Sequence, residues 1–327
     1  LISPLGFALA ACAPCDDPST SEGTNTIKVS LNDITSVEYL ETTTTTTSAP
    51  TSINGGNGDD MLVISGNGEA GRAVIRNIEI VSVPDMNGQV ELVVTDGDTG
   101  VRTIQISPIN ADISYSGDLV VSGDTGAIQV NVIGSHGGTV TSNGSTSIEI
   151  YLGAEPVNAT TISTTAITAN SAKIIYLTTS GSATTYTGTI TSSVATGLTI
   201  YSSGALTITN PVFTSLSTVD VTTIGSFIYN TSINEASTIT VGGKTGSAQF
   251  GTLGTPTNNE PITVIATELS GGLTLGAIDA GFKTAIVNVT GMTEYGTIVL
   301  GTINGDEAAV INAAGTIGVI KTGIITG

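Results

Sequence analysis

Tryptophan is absent from the sequence, histidine occurs once and cysteine twice. Lysine and arginine together number eight against 27 aspartates and glutamates, a net charge of −19 over 327 residues. The eight cations (Lys28, Arg72, Arg76, Arg102, Lys173, Lys244, Lys283 and Lys321) never cluster. Neutralising several phosphates takes a basic patch, which excludes nucleic acid as a partner and an anionic membrane surface with it. No stretch reaches the roughly 18 apolar residues that a transmembrane helix requires, so no transmembrane span is expected. The lone His136 cannot supply the two further ligands a zinc site would need beside the cysteine pair, and no G-x-S-x-G elbow accompanies it. Phosphate-cradling and dinucleotide-binding glycine motifs are missing too.

Charged residues make up only 11% and aromatics 4%, while threonine, serine, glycine, isoleucine and valine dominate. Disorder couples low hydrophobicity with high charge. This chain is instead rich in β-branched residues, which favour strands. The fold class is all-β. The acids are uneven: nineteen lie in residues 1–155 and eight beyond. A divalent cation is the natural counter-charge for the first half, and few lysines with many hydroxyls suit an extracellular or cell-surface location.

The N-terminus, Leu1 to Cys12, resembles the end of a secretion signal, and Leu9-Ala10-Ala11-Cys12 resembles a lipoprotein box. It has no basic region ahead of it, which predicts a retained apolar segment. Cys12-Ala13-Pro14-Cys15 has no βαβ context for redox work. The favoured reading is a short-loop disulfide between Cys12 and Cys15, with free or acylated thiols as the alternatives. Residues 1–41 form an N-terminal apolar and strand-like segment for anchoring or subunit linkage, extended rather than globular. Residues 42–52, dominated by the threonines 42–47, read as a linker.

Residues 53–147 read as an acidic β domain. It opens on Asn54-Gly55-Gly56-Asn57-Gly58-Asp59-Asp60-Met61-Leu62-Val63, which fits the nonapeptide G-G-x-G-x-D-x-U-x of calcium-binding β-rolls at every fixed position. Its glycines permit a tight turn. Asp60 offers a carboxylate beside turn carbonyls, with Asp59 its neighbour, and Leu62 is expected to point into a core. Calcium takes six to eight oxygens, which such turns supply jointly. A glycine-rich turn that binds nothing is the alternative. Two more acidic turns are weaker candidates: Asp96 and Asp98 in Thr95–Gly100, expected first as a β-hairpin loop, and Asp124 in Ser122–Gly126.

After the nonapeptide comes Ile75-x-Asn77-Ile78-Glu79-Ile80-x-x-Val83. The pair of motifs, about 30 residues of the chain, resembles surface-layer proteins of Gram-negative bacteria that carry RTX-type calcium repeats. That resemblance implies a secreted, calcium-dependent lattice protein.

Residues 148–327 read as a threonine- and glycine-rich repetitive β domain. Strands are expected to begin near Ile148, Thr160, Lys173, Tyr186, Gly197, Ala205, Ser217, Phe227, Thr238, Ser247, Ile262, Gly272, Thr284, Gly296, Ala308 and Thr316. Spacings of 8 to 13 suit stacked β-sandwiches. Pairs repeating every 22 to 24 suit a β-solenoid or β-helix with two strands per rung. Both architectures remain open at this point.

Sequons at Asn143, Asn158, Asn230 and Asn288 are candidate glycosylation sites. The strand-like C-terminus, Thr316–Gly327, is a template for pairing with another chain, as is the N-terminal segment. Together these features point to a structural, self-assembling cell-surface protein: a subunit of a filament or surface layer, joined by strand exchange and stabilised by calcium, with no enzymatic activity. Its expected partners are further copies of itself and cell-surface glycans. The alternatives are an adhesin or stalk module and a β-helical carbohydrate-active enzyme with Lys173 or Lys244 as its base.

Overall fold

The computed structural model describes residues 26–30, 51–55, 60–67, 71–87, 89–94, 101–106, 117–123, 126–133, 138–153, 160–163, 166–180, 183–242, 246–269, 271–292, 296–315 and 318–326. Within them run 31 strands, numbered β1 to β31 in chain order, and no helix. All of the pairings are parallel. The chain is a parallel β-solenoid, which decides between the two architectures the spacing allowed. The chain passes back and forth between a 13-stranded first sheet and a 14-stranded second sheet, each coil laying one strand on each, except that β12 and β13 both belong to the second and the last coils add a third sheet.

The physical cause is visible along any column of the first sheet. Leu62, Val81, Ile104, Val130, Ile150, Leu177, Ile200, Val221, Val241, Ala266 and Val289 stand one above the next. Every one is buried. Side chains in a strand alternate faces with period two, so an apolar residue at every second position lines the interior while threonine, serine and asparagine fill the outward columns. A one-residue slip would turn a whole strand inside out, which fixes the register. Leu62 points inward as the nonapeptide motif predicted.

Hydroxyls also line part of the interior. Thr179, Ser202 and Thr223 form a buried stack at the ends of successive strands. Thr179 and Ser202 hydrogen-bond at 2.8 Å, and Thr223 donates to the Gly225 carbonyl at 2.8 Å. Corner backbone that leaves the ladder still needs partners, and a short hydroxyl side chain supplies them without leaving the interior.

A third, four-stranded sheet runs through the last coils: β22 (Leu253–Gly254), β25 (Ile278–Asp279), β28 (Ile303–Asn304) and β31 (Ile325–Thr326). Gly251, Gly276, Gly301 and Gly323 stand at its entrance. A Cβ on Gly276 would lie 2.7 Å from the Gly251 carbonyl oxygen, and one on Gly301 2.6 Å from that of Gly276. Only glycine lets consecutive corners approach this closely.

One expectation needs correction. The Thr95–Gly100 turn was expected to close a hairpin, yet β6 (Gln89–Val94) belongs to the second sheet and β7 (Thr103–Ile106) to the first. The strands flanking that turn pair with their counterparts on neighbouring coils, not with each other. The stacked-sandwich alternative is likewise set aside. The compositional change at residue 147 coincides with β11 (Ser147–Gly153), which pairs in register with strands on both sides.

Candidate functional site

The first predicted ligand, Asp60, immediately precedes β3 (Met61–Asn67). Its backbone N–H donates to Glu79 Oε2 at 2.6 Å. Its carbonyl accepts from the N–H groups of Glu79 at 3.1 Å and Ile80 at 3.0 Å. Both side chains are buried. Gly55 makes this approach possible, because a Cβ there would come within 2.7 Å of Asp60 Oδ2 and would overlap the Asn77 carbonyl. Asn77 itself turns the chain with φ +51°, a conformation asparagine tolerates better than most residues. Its side-chain amide donates to Asn54 Oδ1 at 3.2 Å, tying it to the end of β2 (Thr51–Asn54).

Stacking thus brings Asp60 together with Glu79, nineteen residues away, a partner that sequence spacing did not identify as a ligand. Carboxylates and turn carbonyls are hard oxygen donors of the class calcium takes, though a shell of six to eight oxygens needs more than this pair. The donor chemistry fits. Among the described residues there is no group of three or more histidine, cysteine, aspartate or glutamate side chains. The other predicted positions, Asp59, Asp96, Asp98, Asp124, Cys12, Cys15 and Asn158, lie outside the described residues, as do His136 and Lys244.

Three sequons can be placed. Asn143 is exposed on a corner, where its amide donates to Ser122 Oγ at 3.1 Å and its Oδ1 accepts from Asn170 at 2.7 Å. Asn288 lies within β26 (Thr284–Thr290) and accepts from Asn312 at 2.8 Å. Asn230 is exposed just past β19 (Phe227–Tyr229), where its Oδ1 accepts from Gln249 at 3.4 Å. A glycan on Asn143 would have to break into an interstrand ladder.

The opposite end of the solenoid presents a different kind of surface. Its last coil consists of β29 (Ala308–Ala314), β30 (Val319–Thr322) and β31, one strand in each sheet. Ile320 continues the column of Ile298, and Ile325 that of Ile303. Ile298 and Ile303 are sealed from solvent, whereas Ile320 is 42% and Ile325 45% exposed. Each of these strands has a hydrogen-bonded neighbour on one side. A further parallel strand on these edges, from this chain or from another copy, would cover both isoleucines.

A shallow groove of about 410 Å³ on the outside of the second sheet is lined by serine, threonine, glycine and apolar residues and Gln249, with no titratable group. Lys173 is exposed on a corner. No helix among the described residues is long and apolar enough to cross a membrane. Comparison with protein families, with curated proteins and with solved structures finds no match to this chain.

Proposed function

We propose that the chain is a structural subunit of an extracellular filament or surface layer, which assembles by adding β-strands end to end and is stabilised by calcium. The observation that carries this reading is the parallel ladder itself, to which strands add coil by coil; at its last described coil Ile320 and Ile325 occupy core columns and are 42% and 45% exposed. A second copy laying its first coil there would extend the first and second sheets and cover Ile320, a mode of recognition in which main-chain hydrogen bonds hold and side-chain pockets select. Such a head-to-tail contact is heterologous and propagates rather than closing. The solenoid itself suits a mechanical role, since each coil contacts only its neighbours and length adds without a change of architecture.

Calcium enters at Asp60 and Glu79. Both side chains are buried where adjacent coils meet, and a divalent cation taking oxygens from both coils would clip them together. The RTX-like motif at Gly55–Val63 supports this assignment. A net charge of −19 also opposes close packing of copies, and cations would screen it.

Electron microscopy and sedimentation of the purified chain, with calcium and with chelator, test the reading. The expected result is filaments or sheets that dissociate in chelator, and a double variant Ile320→Lys, Ile325→Lys that stays monomeric while its β circular dichroism is retained. A wild-type chain that remains monomeric at high concentration with calcium would overturn it. Assemblies that persist in chelator would keep the subunit role and remove calcium from it.

A further inference from the structure

Four adjacent strands of the first sheet, β11, β14 (Ile174–Thr179), β16 (Gly197–Ser202) and β18 (Thr218–Thr223), carry an aromatic cluster on their outward face. One outward column reads Glu149, Tyr176, Thr199, Asp220, and the next reads Tyr151, Thr178, Tyr201, Thr222. Three of the chain's eight tyrosines thereby fall on three consecutive strands. Tyr176 is 39% and Tyr201 50% exposed. Tyr151 is half-buried, its hydroxyl bonded to Ser180 Oγ at 2.8 Å. On the outward strand positions of the first sheet from β7 to β29, Glu149 and Asp220 are the charged side chains among the described residues, and there is no lysine or arginine.

We propose that this face binds an extended neutral glycan lying along the solenoid axis. Parallel strands are about 4.8 Å apart, so Tyr151 and Tyr201, two strands apart in one column, stand roughly 10 Å from each other. That is comparable to one disaccharide of an extended chain, with Tyr176 offset on the strand between. Phenol rings present an apolar face with a polar tip, which suits stacking against the C–H face of a sugar. Exposed apolar groups gathered on a surface otherwise made of threonine mark an interaction site. Glu149, Asp220 and the threonine hydroxyls can hydrogen-bond the equatorial hydroxyls at the edges of the sugar rings.

Charge selects among ligands. A face whose described strand positions carry only negative charge, on a chain of net −19, repels nucleic acid and acidic or sulfated glycans. A single cationic group would need both carboxylates within its reach. Glu149 and Asp220 stand three strand spacings apart, about 14 Å, with uncharged rings between them. This inference does not rest on the assembly reading above.

The test is calorimetric titration of the full chain with cellohexaose, xylohexaose and chitohexaose. Binding of at least one is expected, weakened about tenfold or more by Tyr176→Ala or Tyr201→Ala and largely retained by Tyr201→Phe. These positions are exposed, and an unchanged thermal melt would show that the variants fold. Failure of all three sugars to bind at millimolar concentration would overturn the proposal. So would binding that the Tyr176→Ala, Tyr201→Ala double variant leaves intact, or binding of polylysine at this face in place of any sugar.

Discussion

Asp60 and Glu79 meet with both side chains sealed from solvent, the Asp60 N–H donating to the Glu79 carboxylate at 2.6 Å. The contact joins two successive coils at the start of the described solenoid. Replacing Glu79 by alanine leaves a buried donor without that acceptor, at a cost of about 1–3 kcal/mol, to be read from the midpoint of chemical denaturation in chelator. Glu79→Gln keeps an oxygen acceptor and should lose less. If calcium is held here, it should raise the melting temperature of the wild type and leave Glu79→Gln unmoved. An equal calcium shift in both proteins would place the ion elsewhere.

The glycine column makes a sharper stability prediction. In Gly276→Ala the new methyl meets backbone, the Gly251 carbonyl oxygen at 2.7 Å and its carbon at 2.8 Å, so no side-chain rotation can relieve it. Overpacking of this kind costs about 1–3 kcal/mol. Thr274→Ala, one residue before Leu275 on the outward face of the same coil, is the control and should stay within about 0.5 kcal/mol. Comparable losses in both variants would mean that the corner can open.

The strands from residue 147 onward were legible because two signals agree there, period-two alternation and regular corners. Strands expected near Gly197, Ala205, Phe227, Thr238, Ile262, Gly272, Thr284 and Ala308 begin at those residues. The third sheet was not legible, since two-residue strands such as Leu253–Gly254 are too short to show alternation. The recurring glycine at 251, 276, 301 and 323, each followed two residues later by leucine or isoleucine, was the available signal. The hairpin expected after Val94 fails because the flanking strands β6 and β7 belong to different sheets, which Asp-Gly turn chemistry alone does not reveal. The Asp60–Glu79 pair and the three tyrosines depend on which residues the coils stack, and coil lengths vary, so spacing alone did not bring them together. Tyr151, Tyr176 and Tyr201 recur every 25 residues, which becomes informative only once the register is known.

Tyr229 predicts an alkaline limit. It is buried beside Phe250, with ring centroids 6.3 Å apart, and Phe250 in turn meets Phe227 edge-on at 5.5 Å. Burial pushes its phenol up from 10.0 to about 12, with the Thr231 hydroxyl pulling it partly back. A phenol that holds its proton more tightly when folded stabilises the fold fully below its unfolded pKa. That contribution is lost as pH rises from about 10 through about 12. At most about 2–3 kcal/mol is at stake. Denaturation midpoints should fall across this window in the wild type and fall less in Tyr229→Phe, whose side chain has no proton to lose. Identical slopes would assign the alkaline transition to other groups.

Ile298 and Ile320 occupy the same column one coil apart, the first sealed and the second 42% exposed. Truncating a buried isoleucine costs about 2–5 kcal/mol through lost transfer energy and the cavity left behind. Ile298→Ala should show that loss at any protein concentration. Ile320→Ala should cost much less in dilute solution, where its side chain already faces water on one side. If a second copy covers the last coil, the apparent stability of the wild type should rise with concentration, because whatever binds only the folded state stabilises it by mass action. The gap between wild type and Ile320→Ala should then widen as the protein is concentrated, while the gap to Ile298→Ala stays constant. Melting curves across a hundredfold concentration range separate the cases, and two parallel gaps would mean that the exposed isoleucine has no partner in solution.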